Sequence, residues 1–476
     1  LSLRTALIDM QYSLRDQPFP VIVVIAGDDR PGCDDAIKLL NTWLDPRFVS
    51  TCAFGPPTAE EAARPPLWRF WRNLPPHGRI GVFAGGIGLR FVAARLAGTL
   101  DKAAWLQAMG TVRRLERALV ADGAVLLKFW LHVPKKEMRK RLMAAEKDPD
   151  HHWRIQPEDW DIYKSYDRGL QVVETFLQKT STGESPWQLV ESTDWRYRDV
   201  QLAESILNAV HPRLSAPAET TTAAPPAPPP KPSPVGDPLT VLDAVDLSQS
   251  LSRQQYEEQL AEHQARLHRL ARRLHESERS VVLLFEGWDA GGKGGAIRRL
   301  TAAINAQMFQ IVPVAAPTDE ERRYHYLWRF WRCLPESGKF LIFDRSWYGR
   351  VLVERVERFA SPEQWQRAYS EINDFEEQIV QHGWGLEKFW LHISPDEQLR
   401  RFEARKETSY KHFKITPEDY RNRERRIEYQ AAANEMIERT STPCAPWHLI
   451  AAEDKHFARI EVLRIVCEGL EKTLEA

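Results

Sequence analysis

No stretch of this chain is apolar for long enough to cross a bilayer: the longest hydrophobic run near its start, Pro20 to Gly27, falls far short of the ~20 residues a membrane-spanning helix needs. No basic signal-peptide head precedes that run, so the sequence carries no readable secretory leader and points to the cytoplasm. The first residue is Leu1 rather than methionine, so the native start is expected upstream. Cysteine is scarce too. Cys33, Cys52, Cys333, Cys444 and Cys467 are odd in number, scattered and without metal-ligand spacing, which argues against a disulfide framework and for reduced thiols. Excess charge is the third absence. Lys plus Arg number 65 against 66 Asp plus Glu, a net charge of −1, so the chain exerts no global pull on nucleic acid or an anionic membrane. Any anion-binding surface must be local. What is present, 43% hydrophobic and 28% charged residues over 476 positions, is the composition of a soluble globular protein too long for one core.

Between Leu214 and Leu239 the sequence runs APAETTTAAPPAPPPKPSPVGDP, where proline and small residues disfavour helix and sheet and favour extended conformers. Residues 216–240 therefore read as a Pro-rich linker between residues 1–215 and 241–476. The two halves repeat each other. Trp68-Arg69-Phe70-Trp71-Arg72 recurs as Trp328-Arg329-Phe330-Trp331-Arg332, and Lys128-Phe129-Trp130-Leu131-His132 as Lys388-Phe389-Trp390-Leu391-His392, both at an offset of 260. Ile155-Gln156-Pro157-Glu158-Asp159 and Thr180-Ser181-Thr182 recur in the same register, which makes this a duplicated domain rather than a short-period solenoid. In the second copy, apolar β-rich runs at Val281 to Phe285, Phe340 to Phe343, Phe389 to Ile393 and His448 to Ala451 alternate with helical patterns at Gln364 to His382 and Glu418 to Glu438. A further amphipathic helix is expected over Tyr256 to Leu274. That alternation predicts an α/β fold, a parallel sheet with helices on both faces, binding ligands beyond the carboxyl ends of its strands.

Directly after the first of those strands stands Gly287-Trp288-Asp289-Ala290-Gly291-Gly292-Lys293-Gly294-Gly295, followed by a helical stretch, Ala296 to Asn305. Gly-x4-Gly-Lys between strand and helix is a phosphate loop: Gly287, Gly291, Gly292, Gly294 and Gly295 let backbone amides turn inward, and Lys293 reaches the phosphates. Gly294 stands where a Ser or Thr normally serves magnesium, so another ligand is required. Asp289, inside the loop, and Asp344, at the end of the strand Phe340 to Phe343, are the expected metal-bracketing pair, with Asp289 also placed to help position an acceptor. The competing reading has Asp344 capping a following helix. Arg345 and Arg350 follow that strand and are expected to surround a moving phosphoryl group with positive charge.

Arg400 to Glu428 holds ten Lys or Arg against six Asp or Glu, an excess of four in a neutral chain. A solvated helix face explains such a run as readily as a polyanion clamp does, but its place after a late strand is where phosphate-loop kinases carry a lid. His392, within an apolar strand, reads as a satisfied core residue, and Trp328, Phe330 and Trp331 as packing rather than a base-stacking platform.

The segments GWDAGGKGG, YLWRFWRCLP, FDRSWYGRVLVERVE, EINDFEEQIVQHG, KFWLHIS and TSTPCAPW resemble the family 2 polyphosphate kinases over most of residues 250–465. The resemblance implies a fold similar to thymidylate kinase, inorganic polyphosphate as phosphate donor, and Mg2+, with Mn2+ as a substitute. It also implies phosphate, metal or substrate contacts for Lys293, Asp289, Asp344, Arg345, Arg350 and Arg405, with Lys411 and Lys414 in a polyphosphate-binding lid. Gly291 stands where the family usually has Ala, and Arg426 where a Trp is expected. The fused arrangement is similar to members that phosphorylate AMP to ADP; an ATP-dependent nucleoside monophosphate kinase and a kinase acting on ADP or GDP are the alternatives. Related enzymes are oligomers, so a homodimer is expected. In the first copy the offset sets Cys33 opposite Lys293, Asp34 opposite Gly294, Ala84 opposite Asp344 and Gly85 opposite Arg345. Only Asp29, opposite Asp289, survives, so residues 1–215 are expected to be catalytically silent and to serve packing or assembly.

Overall fold

The computed structural model describes residues 2–147, 157–215, 240–407 and 417–475. The expected linker apart from Thr240, and with it Lys411 and Lys414, lies outside the described residues. Among the described residues no helix is long and apolar enough to cross a membrane. The chain divides into two compact units, one carrying the first sheet and the other the second.

The first sheet comprises β1 (Val21–Gly27), β2 (Val49–Ala53), β3 (Ile80–Ala84), β4 (Val125–His132) and β5 (Trp187–Glu191), in the order β2-β3-β1-β4-β5. The second comprises β6 (Val281–Gly287), β7 (Phe309–Pro313), β8 (Phe340–Asp344), β9 (Gly385–His392) and β10 (Trp447–Ala451), in the equivalent order β7-β8-β6-β9-β10. Every pairing is parallel. All five strand pairs start and end 260 positions apart, so the duplication read from short motifs extends to the whole frame. The central strands read as continuous apolar runs because helices cover both faces of the sheet. Val281 to Phe285 are each at most 2% exposed, and burying side chains of this size contributes roughly 1.5–3 kcal/mol apiece.

Four strands of the second copy lie where the sequence places them. The fifth, β7, was not legible: it is short, ends in proline and is half-exposed along most of its length, so it lacks an apolar signature. The helix expected over Glu418 to Glu438 is two, Pro417–Glu424 and Arg426–Thr440, interrupted at Arg425 (φ −97°, ψ 19°). The helix after the phosphate loop begins at Lys293, three residues earlier than expected.

In this strand order the chain leaves β6 towards β7 and β8 on one side and continues to β9 and β10 on the other. The crevice beyond the carboxyl end of β6 is therefore the switch point at which such sheets bind ligands. Register puts Phe285 beside Asp344 and Gly287 beside Leu391, so the phosphate loop and the end of β8 open into the same space.

Candidate active site

Gly287 makes the turn out of β6. Its φ is +129°, and a Cβ there would stand 2.4 Å from the Leu391 carbonyl oxygen, so no other residue fits. The carbonyls of the next loop residues are held from behind. Gln398 donates to the Asp289 oxygen at 3.1 Å, and Arg401 Nη1 to those of Ala290 and Gly291 at 2.9 and 3.1 Å. Arg401 is 4% exposed, and its other terminal nitrogen donates to the oxygens of Ala452 and Glu453, tying the loop to the end of β10. With the carbonyls engaged on that side, and apart from the Gly291 amide, which donates to the Trp288 oxygen at 2.9 Å, the loop amides and the first amides of the helix opening at Lys293 are left for an anion. Trp288 is anchored as well: its Nε1 donates to His392 Nδ1 at 3.0 Å, and the Arg426 guanidinium lies 4.0 Å from its ring centroid. His392 is thus the satisfied core residue the sequence suggested, held neutral by burial and by Arg426, which bring its pKa down to about 4. Trp328, Phe330 and Trp331, at 4%, 5% and 1% exposure, are packing residues.

Over the loop lies a cleft of about 500 Å³. Its lining includes Asp289, Gly291, Gly292, Lys293, Gly294, Gly295, Asp344, Arg345 and Arg405 from the expected set. Sequence reasoning missed Arg298, Lys455 and Arg459 and held Arg401 only as one cation of the Arg400 to Glu428 run; these four complete a lining of seven cations against two carboxylates. Lys293 is half-buried, and its Nζ donates to the oxygens of Gly287 (2.8 Å) and Trp288 (3.3 Å), which keeps the ammonium at the mouth of the loop. Arg350 goes elsewhere: it pairs with Glu354 at 3.1 Å, lies 4.5 Å from the Tyr326 ring centroid and is not among the lining residues.

Asp344 ends β8 and does not cap the short helical turn Trp347–Arg350 beyond it; Ser346 does, accepting from the Tyr348 amide. Arg345 has a left-handed backbone, φ +64°, and its guanidinium donates to Asp289 Oδ1 at 3.0 Å. A non-glycine residue in that region is strained, and such strain concentrates at functional sites. Burial would push the Asp289 carboxyl up, but Lys293 and Arg345, with hydrogen bonds from Asn422 and Arg345, outweigh it and hold the group below its usual range. Glu286, a third acid that the sequence did not flag, is buried and accepts from Ser346 Oγ at 2.8 Å; burial pushes it up. Among the described residues no three His, Cys, Asp or Glu side chains converge as a metal cluster. The cleft offers Asp289 and Asp344, and among the described residues the Asp344 carboxylate takes no hydrogen bond or ion pair. Two carboxylates completed by phosphate oxygens and water suit a hard divalent cation that arrives with its substrate.

The same place in the first copy is filled from within. Asp29 caps the helix Arg30–Trp43, its Oδ1 accepting from the Gly32 amide at 3.2 Å. Its Oδ2 accepts from Arg141 at 2.9 Å and from Ser192 Oγ, and the residue is 2% exposed. A carboxylate of the chain thus occupies the helix terminus where a phosphate would sit. Cys33, where the lysine would be, has its thiol pushed well up by burial, then by Asp29, Asp34 and Asp28.

Residues 1–216 and 250–475 both match the family profile described as polyphosphate kinase 2. A polyphosphate:AMP phosphotransferase of Pseudomonas aeruginosa is 47% identical over 472 residues, covering 99% of this chain and 95% of that protein. One from Acinetobacter johnsonii is 36% identical, covering 98% and 95%. A solved structure described as a polyphosphate kinase 2 from Pseudomonas aeruginosa superposes with a TM-score of 0.89 at 44% identity, covering 100% of this chain and 95% of that one. With its profile matched twice and its fold shared end to end, the chain belongs to the polyphosphate kinase 2 family.

Proposed function

We propose that this enzyme transfers the terminal phosphate of inorganic polyphosphate to AMP, forming ADP, at the phosphate loop of residues 241–476. Residues 1–215 form a silent copy and 216–240 a tether. The observation that carries the reading is the cleft itself, where seven cations surround an amide-lined loop suited to a polyanionic donor. Similarity over nearly the whole chain to proteins named polyphosphate:AMP phosphotransferase supports AMP as acceptor.

In this scheme the loop amides and Lys293 bind the donor's terminal phosphates. Arg345 and Arg405 offset the charge that develops as an oxygen of the AMP phosphate attacks phosphorus and the bridging P–O bond breaks. Arg298, Lys455 and Arg459 hold the rest of the donor chain, which leaves one phosphate shorter. Asp289 and Asp344 would hold Mg2+, which would supply positive charge to offset the repulsion among the phosphates. Lys411 and Lys414, outside the described residues, are assigned to the donor polyanion by the family resemblance alone. Arg350, paired with Glu354, acts from outside the cleft lining. A cytoplasmic location is part of this proposal.

The test is an acceptor and donor panel on the full chain. ADP forming from AMP with long-chain polyphosphate, and not with ATP as sole donor, is the expected result. Equal or better turnover with ATP would replace this reading by an ATP-dependent kinase. Preference for ADP over AMP would move the enzyme towards the ADP-polyphosphate phosphotransferase of Pseudomonas aeruginosa, 38% identical over 218 residues.

A further inference from the structure

The Asp289 carboxylate is gripped from two separate elements. Arg345, at the end of β8, holds Oδ1, and Asn422, in the helix Pro417–Glu424, donates its Nδ2 hydrogen to Oδ2 at 3.0 Å. The orientation of that amide follows from its partner: a carboxylate only accepts, so Asn422 presents its NH2 to Asp289. Its Oδ1 stands 3.4 Å from Tyr429 Oη, which lies 3.4 Å from Glu357 Oε1 as well. Glu357 is in turn fixed by Arg425 at 3.1 Å. Asn422, Arg425 and Tyr429 all flank the interruption at Arg425 that separates the two helices.

We infer that Asn422 is a positioning residue: it aims the Asp289 carboxylate, and through it makes the seating of the helix Pro417–Glu424 a condition for turnover. The inference rests on the role given above to Asp289. A neutral donor suits this task. It orients the carboxylate without forming the full ion pair that a Lys or Arg would, leaving the oxygens able to exchange partners as substrate and cation arrive. Arg345, by contrast, neutralises. The two grips therefore have different consequences when lost: charge compensation on one side, orientation on the other.

The experiment is a double-mutant cycle in the full chain, measuring ADP formation from AMP and polyphosphate for Asn422→Ala, Asp289→Asn and the double variant. Asn422→Ala should lower kcat about ten-fold while both KM values stay within about three-fold, since misorientation acts on the reacting geometry rather than on binding. In the Asp289→Asn background the same change should cost less than about two-fold, because no carboxylate remains to aim. Asn422→Asp, nearly the same shape, should fall further than Asn422→Ala, since it sets a like charge against Asp289. A loss on Asn422→Ala that persists undiminished beside Asp289→Asn overturns the positioning role, as does full kcat in both Asn422 variants. Unchanged turnover in Asp289→Asn alone sinks the functional reading beneath it instead.

Discussion

The two copies share a frame down to a buried ion pair, and differ where phosphate would bind. Lys128 Nζ lies 2.6 Å from Glu116 and 2.7 Å from the Thr180 oxygen; Lys388 Nζ lies 2.7 Å from Glu376 and 2.7 Å from the Thr440 oxygen. In both copies the lysine side chain is 0% exposed. At the loop, the second copy keeps amides, Lys293 and two carboxylates open to a cleft, whereas the first has turned its one remaining acid, Asp29, into a helix cap. Arg401 and its counterpart Arg141 show the same divergence. Arg401 grips loop carbonyls, while Arg141 grips the Asp29 carboxylate as well as the oxygens of Ser192 and Thr193. The buried pair is thus common to both frames, while the loop set is confined to the second copy; on the proposed function, the first belongs to folding and the second to the reaction.

That separation can be tested by paired substitutions. Removing the buried ammonium should hurt both copies alike. Lys128→Ala and Lys388→Ala each strand a buried carboxylate and should cost about 3–5 kcal/mol of stability, seen by calorimetry as a lowered transition. If only the second-copy variant is destabilised, the lysine serves function rather than frame.

The paired histidines should respond to pH with opposite sign. His392 is pulled from 6.5 to about 4 by burial and Arg426. The unfolded chain then binds the extra proton, so stability falls as pH drops from about 6.5 towards about 4, by on the order of 3 kcal/mol in total. His132 is raised above 6.5 by its hydrogen bond to Asp28 at 2.7 Å, so its contribution is complete below 6.5 and fades as pH rises through the raised value. Imidazole titrations by NMR, assigned with His132→Gln and His392→Gln, should show one apparent pKa above 6.5 and one near 4. Coincident titrations would erase the contrast.

The smallest effect concerns one backbone position. Arg345 and its counterpart Gly85 are both left-handed, at φ +64° and +96°. The first copy meets that geometry with glycine, whereas the second tolerates strain to keep the guanidinium. Arg345→Gly should therefore raise thermal stability by about 1 kcal/mol while lowering turnover, and Gly85→Ala should lower stability by a similar amount with turnover intact. A stability loss on Arg345→Gly would mean that the ion pair with Asp289 outweighs the strain.

Much of this is legible in the sequence. The repeated Trp-Arg-Phe-Trp-Arg and Lys-Phe-Trp-Leu-His blocks set the register of the duplication, and Gly287 to Gly295 announced the phosphate loop because glycine and lysine spacing is local chemistry. The missed roles are those of residues whose partners are remote in sequence. Arg401 lies 110 positions from Gly291 and Asn422 lies 133 from Asp289, and only the parallel crossovers bring them together. Within the Arg400 to Glu428 run, charge alone could not separate Arg405, which lines the cleft, from Arg426, which stacks on Trp288. The loss of Lys293 and Asp344 from the first copy was readable as absence. That Asp29 fills the vacated place was not, because the same aspartate faces Arg345 and Asn422 in one copy and its own helix in the other.

The most direct measurement compares Lys293→Ala with Cys33→Ala in the full chain, following ADP formation from AMP and polyphosphate. The account predicts a loss of at least about 100-fold for the first and unchanged activity for the second. Turnover that survives Lys293→Ala, or collapses with Cys33→Ala, would contradict it.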